Sequence, residues 1–549
     1  MWQRVIDTVR KRMHPPEREP RRALLQSSDP DWLRFGRTGS LIFLIVGALL
    51  IVAWQGNFTQ EARSLDSSYR VKDRLNGFYA PFGTRFFYYL YYTGVFPVAE
   101  DEGLPLPAWS QEAAERSLQS NPNLVNELGV YLRTGDLAKI FLLYPHVWWT
   151  GTPKHASLVP FNWLLGVVSL LALFFSLSLL QHRLLGSILV LVLGSNPFQL
   201  WSLYATNNVF AYATPVACLM LALHAPMILG RWRGWGTLLL AAFAGLFLAT
   251  VREVRSEPVL AAIPVIATYL FAWGSWRRSM ALLGVFVLSF GLTASVWTSY
   301  WDTKFQEAHR IVEQAGGIPF DGSWNSHHVL WHSVWCGLGD FDQKYGYVWN
   351  DGVAFRYAIP EVNSRFDTNY RMPKHFITKR RPRSSGPLPR RSTKSYFLRD
   401  YESPRKKYRI RPETLDAYNI VVRDKVLSDV VQDPLWYLTI LGKRTLRILS
   451  ETPPIRLSLN TRFIDIPFSG WWLLPLVVAL ALLRRWQELL LLAYFLPASL
   501  TPLLVHSGDG LSLAGSYAHA TFAFLLTFAL SWTRIPRPKA PPSSDRVDE

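Results

Sequence analysis

The sequence predicts an all-α polytopic membrane protein with about ten transmembrane helices and two large extracytoplasmic segments, one of them a soluble domain of mixed helical and irregular structure. Three observations lead there. The 549 residues are 49% hydrophobic, and the apolar ones gather in blocks of about 15–25 residues, the length a helix needs to cross a hydrocarbon core. Four short connectors that carry Arg fall on the same side as both basic tails, which sets an orientation. Two long polar stretches interrupt the blocks and dilute the overall hydropathy.

The first block, 38–54, follows a basic tail (1–37) that holds RKR and PRR. A secretory signal places its apolar region closer to the start, so this block is expected to be a retained anchor. Residues 55–156 form the first polar segment. Blocks 157–180, 184–204, 208–229, 236–250, 258–274 and 280–297 supply helices two to seven, within 157–297. Residues 298–469 form the second polar segment, and blocks 470–483, 487–505 and 516–533 complete the set within 470–533. A tail, 534–549, begins RIPRPK.

With this count QHR (181–183), RWR (231–233), WRR (276–278), RRW (484–486) and both tails share one side. The positive-inside rule makes that side cytoplasmic. The expected location is the inner (plasma) membrane, multi-pass, with both termini cytoplasmic and the two polar segments outside. Residues 434–449, PLWYLTILGKRTLRIL, are interrupted by Lys443, Arg444 and Arg447 and read as an amphipathic helix on the outer interface. Two cysteines, Cys218 in an apolar run and Cys336 in a polar one, predict no disulfide framework.

Candidate chemistry collects on the outer side. The turn TVREVRSEP (250–258) carries Arg252, Glu253, Arg255 and Glu257. One reading is a self-neutralised hairpin in which each Arg pairs with a Glu. The other is a clamp in which Arg252 and Arg255, with Glu253, hold an anionic group, because the guanidinium fork binds phosphate bidentately and never deprotonates.

In 55–156, the aromatic run RFFYYLYYTGVFPV (85–98) suits the interfacial belt. Glu100, Asp101 and Glu102 follow it directly; Asp66 and Asp73 lie nearer the first helix. A carboxylate beside such a platform can act as a general base, or sit in a solvated acidic turn.

The stretch HHVLWHSVWCGLGDFDQKYGYVWND (327–351) holds His327, His328, His332, Asp340, Asp342 and Asp351. His328 and His332 share a helix face, and with Asp340 or Asp342 they could bind a divalent cation. Alternatively His and carboxylate surround a sugar with Trp331, Trp335 and Trp349 stacking on it, or the aromatics simply pack a small folded cap. No cofactor is otherwise indicated.

Residues 371–411 carry 15 Lys or Arg against two acids, a net of +13 within the chain's +18. On the outer side such charge either meets membrane lipids, lipid-linked phosphates or acidic glycans, rather than nucleic acid, or belongs to a flexible basic loop with no dedicated partner. The turn 505–520 offers His506, Ser507, Asp509 and His519, but neighbours on a turn do not reach triad geometry. With no GxxxxGK[ST] or GxGxxG loop, nucleotide-driven transport has no support in the sequence. No internal repeat points to a two-half transporter.

The layout resembles the GT-C class of integral-membrane glycosyltransferases: many helices, a large first outward loop with an acidic catalytic residue, amphipathic interfacial helices and a later soluble domain. The HSVWCGLGDFD stretch is similar to outward motifs of bacterial members. The resemblance implies transfer of a sugar from a polyprenyl-phosphate carrier to a glycan, lipid or protein acceptor on the outer face. It also implies a catalytic carboxylate among Glu100, Asp101, Glu102, Asp66 and Asp73, a carrier phosphate held by Arg252, Glu253 and Arg255, and no required cofactor beyond a possible divalent cation. Where the family places an Asp or Asp-Glu pair soon after the first helix, this chain reads QGNFTQEARSLD. A glycan ligase or polymerase using lipid-pyrophosphate donors, and a non-enzymatic flippase or assembly subunit, are the competing readings. A flippase should carry charges at mid-helix, and the predicted helices are nearly clean of them.

Overall fold

The computed structural model describes residues 29–76, 111–120, 138, 141, 158–196, 212–232, 234–272, 275–314, 330–371, 398–400, 409–410, 415–452, 454–459, 462–505 and 511–532. Among these the chain is mostly helical with little sheet. The first helices are α1 (Arg37–Asn76), α2 (Gln111–Ser120), α3 (Leu158–Leu179), α4 (Arg183–Gly194) and α5 (Ala213–Ile228). They are followed by α6 (Gly236–Val254), α7 (Ala262–Phe271) and α8 (Trp276–Gln314). Four helices then form a compact cap: α9 (Leu330–Leu338), α10 (Asp351–Phe366), α11 (Asp416–Gln432) and α12 (Pro434–Ser450). The chain ends with α13 (Leu473–Leu482), α14 (Trp486–Ala493), α15 (Leu500–Leu504) and α16 (Leu511–Trp532).

Every predicted apolar block holds helix, but the described helices do not make ten full spans. Among the described residues four stretches are long and apolar enough to cross a membrane: Arg37–Asn57, Phe161–Leu179, Gly236–Val254 and Trp276–Glu307. A fifth is Trp486–Ala493 together with Pro497–Leu504, bent by 47° at the break. Pro497 explains that break, since it has no N–H to continue the helical ladder. The 12 residues of α4 extend about 18 Å, well short of a hydrocarbon core of about 30 Å. Hydropathy reads a block as continuous where the backbone is not.

Two large apolar cores organise the described residues, beside a small cluster of Ile448, Leu449, Tyr517 and Ala518. The larger joins α1 and α3–α8 to α13, α14 and α16 through residues such as Leu173, Leu189, Met220, Leu248, Val265, Leu480 and Phe524. Its outer helices show apolar residues to the surroundings: Leu41, Ile45, Leu49 on α1 and Val287, Leu288, Leu292, Val296 on α8 are all exposed. Such faces are costly in water and cost nothing against lipid tails. Between α6 and α8 the backbones nearly touch at Gly245, where an added Cβ would lie 2.5 Å from Phe286 O and 2.1 Å from Ser289 Oγ. Small residues at helix crossings permit this approach where association depends on close packing.

The second core belongs to the cap, with Trp335, Tyr347, Phe355, Ile359, Tyr418, Val422 and Trp436 inside it. Its helices are capped as their sequences dictate. Asn350 accepts from Gly352 N at 2.9 Å to start α10, and α10 stops at Asp367 in the left-handed region (φ 50°). Asp433 accepts from Trp436 N at 3.0 Å, with Pro434 next to it, to start α12. As expected, α12 is amphipathic. Trp436, Ile440, Arg444 and Ile448 are buried four residues apart, while Leu435, Leu438 and Leu446 stay exposed.

Among the described residues sheet is confined to short pieces. Strands β1 (Tyr370–Arg371), β2 (Leu398–Asp400) and β3 (Arg409–Ile410) form an antiparallel sheet in that order. Of the basic stretch 371–411, the residues described all lie in these strands. Strands β4 (Ile455–Leu459) and β5 (Arg462–Ile466) make a hairpin in which Ile455 faces Ile466.

Candidate functional site

The charged turn closes α6. Arg252 donates Nε and Nη2 to Glu253 Oε1 at 3.1 and 2.9 Å. The other Glu253 oxygen accepts from Trp301 Nε1 at 3.1 Å. Arg255 forms an ion pair with Glu257. These are the pairings of the self-neutralised reading. Burial separates the three residues of the predicted clamp: the side chains of Glu253 and Arg255 are 1% and 6% exposed, whereas that of Arg252 is 24% exposed.

Arg252 also has an aromatic setting. Its guanidinium lies 5.9 Å from the Phe290 ring, within cation–π range. Two to three turns farther along α8, Trp297, Tyr300 and Trp301 pack together with Phe141. Trp297 and Trp301 stack at 5.8 Å, and Phe141 lies 5.8 Å from Trp301. Trp297 Nε1 reaches Thr250 Oγ1 at 3.4 Å. Of the two arginines of this turn, Arg252, at the end of an apolar helix, is the more exposed.

The second constellation lies in the cap. His332 on α9 sets Nδ1 2.7 Å from Tyr418 Oη and Nε2 3.3 Å from Asp351 Oδ1. Cys336, one helical turn on, places Sγ 3.8 Å from the same Asp351 oxygen and 3.9 Å from His332 Nε2. The imidazole is stacked on Phe355 at 5.3 Å between centroids. Thus His332 and Asp351, both singled out in the sequence, do come together. Their companion is Cys336, which sequence reasoning set aside, and not Asp340 or Asp342. The i, i+4 argument applied to His328 and His332 applies equally to His332 and Cys336.

Asp340 and Asp342 are engaged elsewhere. Asp340 pairs with buried Arg444 at 3.3 Å. Asp342 accepts from Lys344 N at 3.0 Å and from Trp436 Nε1 at 3.3 Å. The GLGD turn is tight because Gly339 abuts Val348, whose backbone would lie 2.5 Å from an added Cβ. Trp335 is buried between Tyr347 and Tyr357 as a packing residue. Trp331 is half-buried against the cap core, and Trp349 is exposed. Tyr347 donates to Asp429 Oδ2 at 2.7 Å; burial first, then this carboxylate, pushes its phenol far above the ordinary value.

Several candidates fall outside the description. Glu100, Asp101, Glu102, His327, His328, His506, Ser507 and Asp509 lie outside the described residues. Asp66 and Asp73 sit on α1 past its apolar stretch, and their side chains are likewise outside. His519 is wholly buried on α16. Both cysteines are free thiols, as expected. Sequence reading missed a polar seam inside the larger core, where His224 bridges Met220 O (2.7 Å) and Tyr269 Oη (2.9 Å). Next to it Thr268 Oγ1 meets Tyr494 Oη at 2.9 Å.

No protein-family model matches the chain, and no match to it emerges among curated proteins or solved structures.

Proposed function

We propose that the chain is a membrane glycosyltransferase of GT-C layout that moves a sugar from a polyprenyl-phosphate carrier to an envelope glycan, lipid or protein at the outer face. The observation that carries this reading is the setting of Arg252: a partly exposed guanidinium at the end of an apolar helix, beside an aromatic cluster. A phosphate on a lipid carrier arrives at the depth of such a helix end. Arg252 would hold it through the edge not engaged by Glu253, and Glu253, fixed by Trp301, would orient the guanidinium. Charge leaving with the carrier phosphate is then met by a cation already in place. Arg255, neutralised by Glu257 and buried, supports the turn and is not part of the clamp. The acceptor hydroxyl needs a base, sought among Glu100, Asp101, Glu102, Asp66 and Asp73.

The test is transfer by the purified full chain in detergent, with a panel of radiolabelled polyprenyl-phosphate sugars and crude envelope lipid as acceptor. Label is expected in the acceptor, with Arg252→Ala slowing transfer about a hundredfold while the protein stays folded. No transfer from any donor, with carrier lipid still bound, would discard the reading in favour of a ligase fed by lipid pyrophosphates or a flippase.

A further inference from the structure

The cap cluster lies outside the proposed carrier site and is built from different chemistry. One imidazole nitrogen, one thiol and one carboxylate oxygen lie within 4.8 Å of one another. We propose that His332 Nε2, Cys336 Sγ and an Asp351 carboxylate oxygen form a mononuclear site for a borderline-soft divalent cation of the Zn²⁺ type, with one coordination position open.

Distance carries the first part of the argument. Bonds of about 2.0 Å to nitrogen or oxygen and about 2.3 Å to sulfur put donors roughly 3.3–3.6 Å apart around a tetrahedral ion. The three separations are 3.3, 3.8 and 3.9 Å. The donors therefore already surround one point, and small side-chain rotations close them on an ion. Two come from a single turn of α9, at i and i+4, which fixes their relative direction. The third is the first residue of α10, and that helix is started by the Asn350 cap. Rigid elements, not a loop, set the triangle.

The surroundings supply the rest. A metal-ligating imidazole commonly uses its second nitrogen to donate to a neighbouring oxygen, which fixes the tautomer. Tyr418 Oη stands 2.7 Å from His332 Nδ1, so an Nδ1–H···Oη bond leaves the Nε2 lone pair facing Cys336 and Asp351. Phe355, stacked on the imidazole, fixes the ring plane.

Ligand type selects the ion. A thiolate with an imidazole favours Zn²⁺ over Mg²⁺ or Ca²⁺, which prefer oxygen alone. Among the described residues three protein ligands converge, and the Asp351 side chain is 50% exposed; this matches a site that keeps its fourth position for water or another oxygen donor. Without an ion, the same atoms form a His–Asp hydrogen bond beside a thiol, so the two states differ in a measurable way.

The experiment uses the chelator-stripped full chain in detergent, kept reduced and titrated with Co²⁺. A thiolate-to-cobalt charge-transfer band saturating at one ion per chain, and bleached by Zn²⁺, is the expected result. Cys336→Ser should abolish the band and Cys218→Ser should leave it unchanged. Asp351→Asn, at a half-exposed position, should keep the fold and weaken Co²⁺ binding at least tenfold; Tyr418→Phe should weaken it about 10–100-fold. No thiolate band at saturating Co²⁺, or a band that survives Cys336→Ser, overturns the proposal. Neither result depends on whether the protein transfers sugar.

Discussion

Arg444 and Asp340 form an ion pair, Nε to Oδ2 at 3.3 Å, with side chains 0% and 5% exposed. The same guanidinium donates Nη1 to the Leu503 carbonyl at 3.0 Å. One residue of α12 therefore ties the GLGD turn of the cap to the end of α15 in the apolar bundle. Burial pulls the Arg444 pKa down, and the Asp340 carboxylate opposes that pull.

Removing one partner leaves the other as an uncompensated buried charge, at a cost of about 3–5 kcal/mol. Arg444→Ala and Asp340→Ala should each lower the thermal midpoint in detergent markedly. The double variant Arg444→Met/Asp340→Leu should recover much of the loss, because apolar groups replace both charges. A double variant no more stable than either single one would rule out the pair as the cause.

Trp301 holds Glu253 through Nε1, and Glu253 in turn orients Arg252. Trp301→Phe keeps most of the ring contacts but strips that donor from a buried carboxylate. A loss of about 1.5–3 kcal/mol is expected, the range for a hydrogen bond to a charged group. Denaturant melts of both proteins would measure it, and an unchanged midpoint would contradict the linkage.

Gly245 lies where α6 meets α8 backbone to backbone. Gly245→Ala forces a Cβ against backbone atoms of α8, which cannot rotate away. Overpacking of this kind costs about 1–3 kcal/mol. Thermal unfolding should show it, whereas Gly284→Ala, with open space at its Cβ on α8, should be silent.

Acid should loosen both the cap and the β4–β5 hairpin, where basic neighbours hold carboxyls low. Asp433 is held below the usual carboxylate range by Lys344, with the Trp436 N–H and Tyr345 adding to the effect. Arg423 and Arg365 act likewise on Asp424, and Arg456 on Asp465. For carboxyls depressed in the folded state, the stabilisation is present above the unfolded value of about 3.9 and is lost as pH falls through the folded values. The thermal midpoint should therefore drop below about pH 4. Asp433→Asn, which keeps a capping side chain without its charge, should make that drop shallower. An equally steep drop in the variant would show that other groups cause it.

What could be read from the sequence depended on range. Apolar runs located the helices, and three basic residues in 434–449 were enough to expect an amphipathic helix there. Arg252 and Arg255 were correctly paired with glutamates in one of two readings, because those partners lie one or two residues away. Asp340 shows the limit. Nothing local links it to Arg444, so it read as a ligand when it is a buried counter-ion. The phase of α9 predicts that Cys336 shares a face with His332. Only the packing of α10 against α9 brings Asp351 to the same point. Span ends were hidden because hydropathy does not register where a proline breaks the hydrogen-bond ladder.

The length of α8 has one more consequence. Its 39 residues run without a break, about 58 Å against a hydrocarbon core of about 30 Å. Its apolar part and its Trp297–Trp301 cluster are therefore fixed to each other like marks on a ruler that is also a dial. Inserting a single residue between them would lift the tryptophans by only about 1.5 Å but swing them about 100° around the axis. Trp301 would then face away from Glu253 while remaining at nearly the same height.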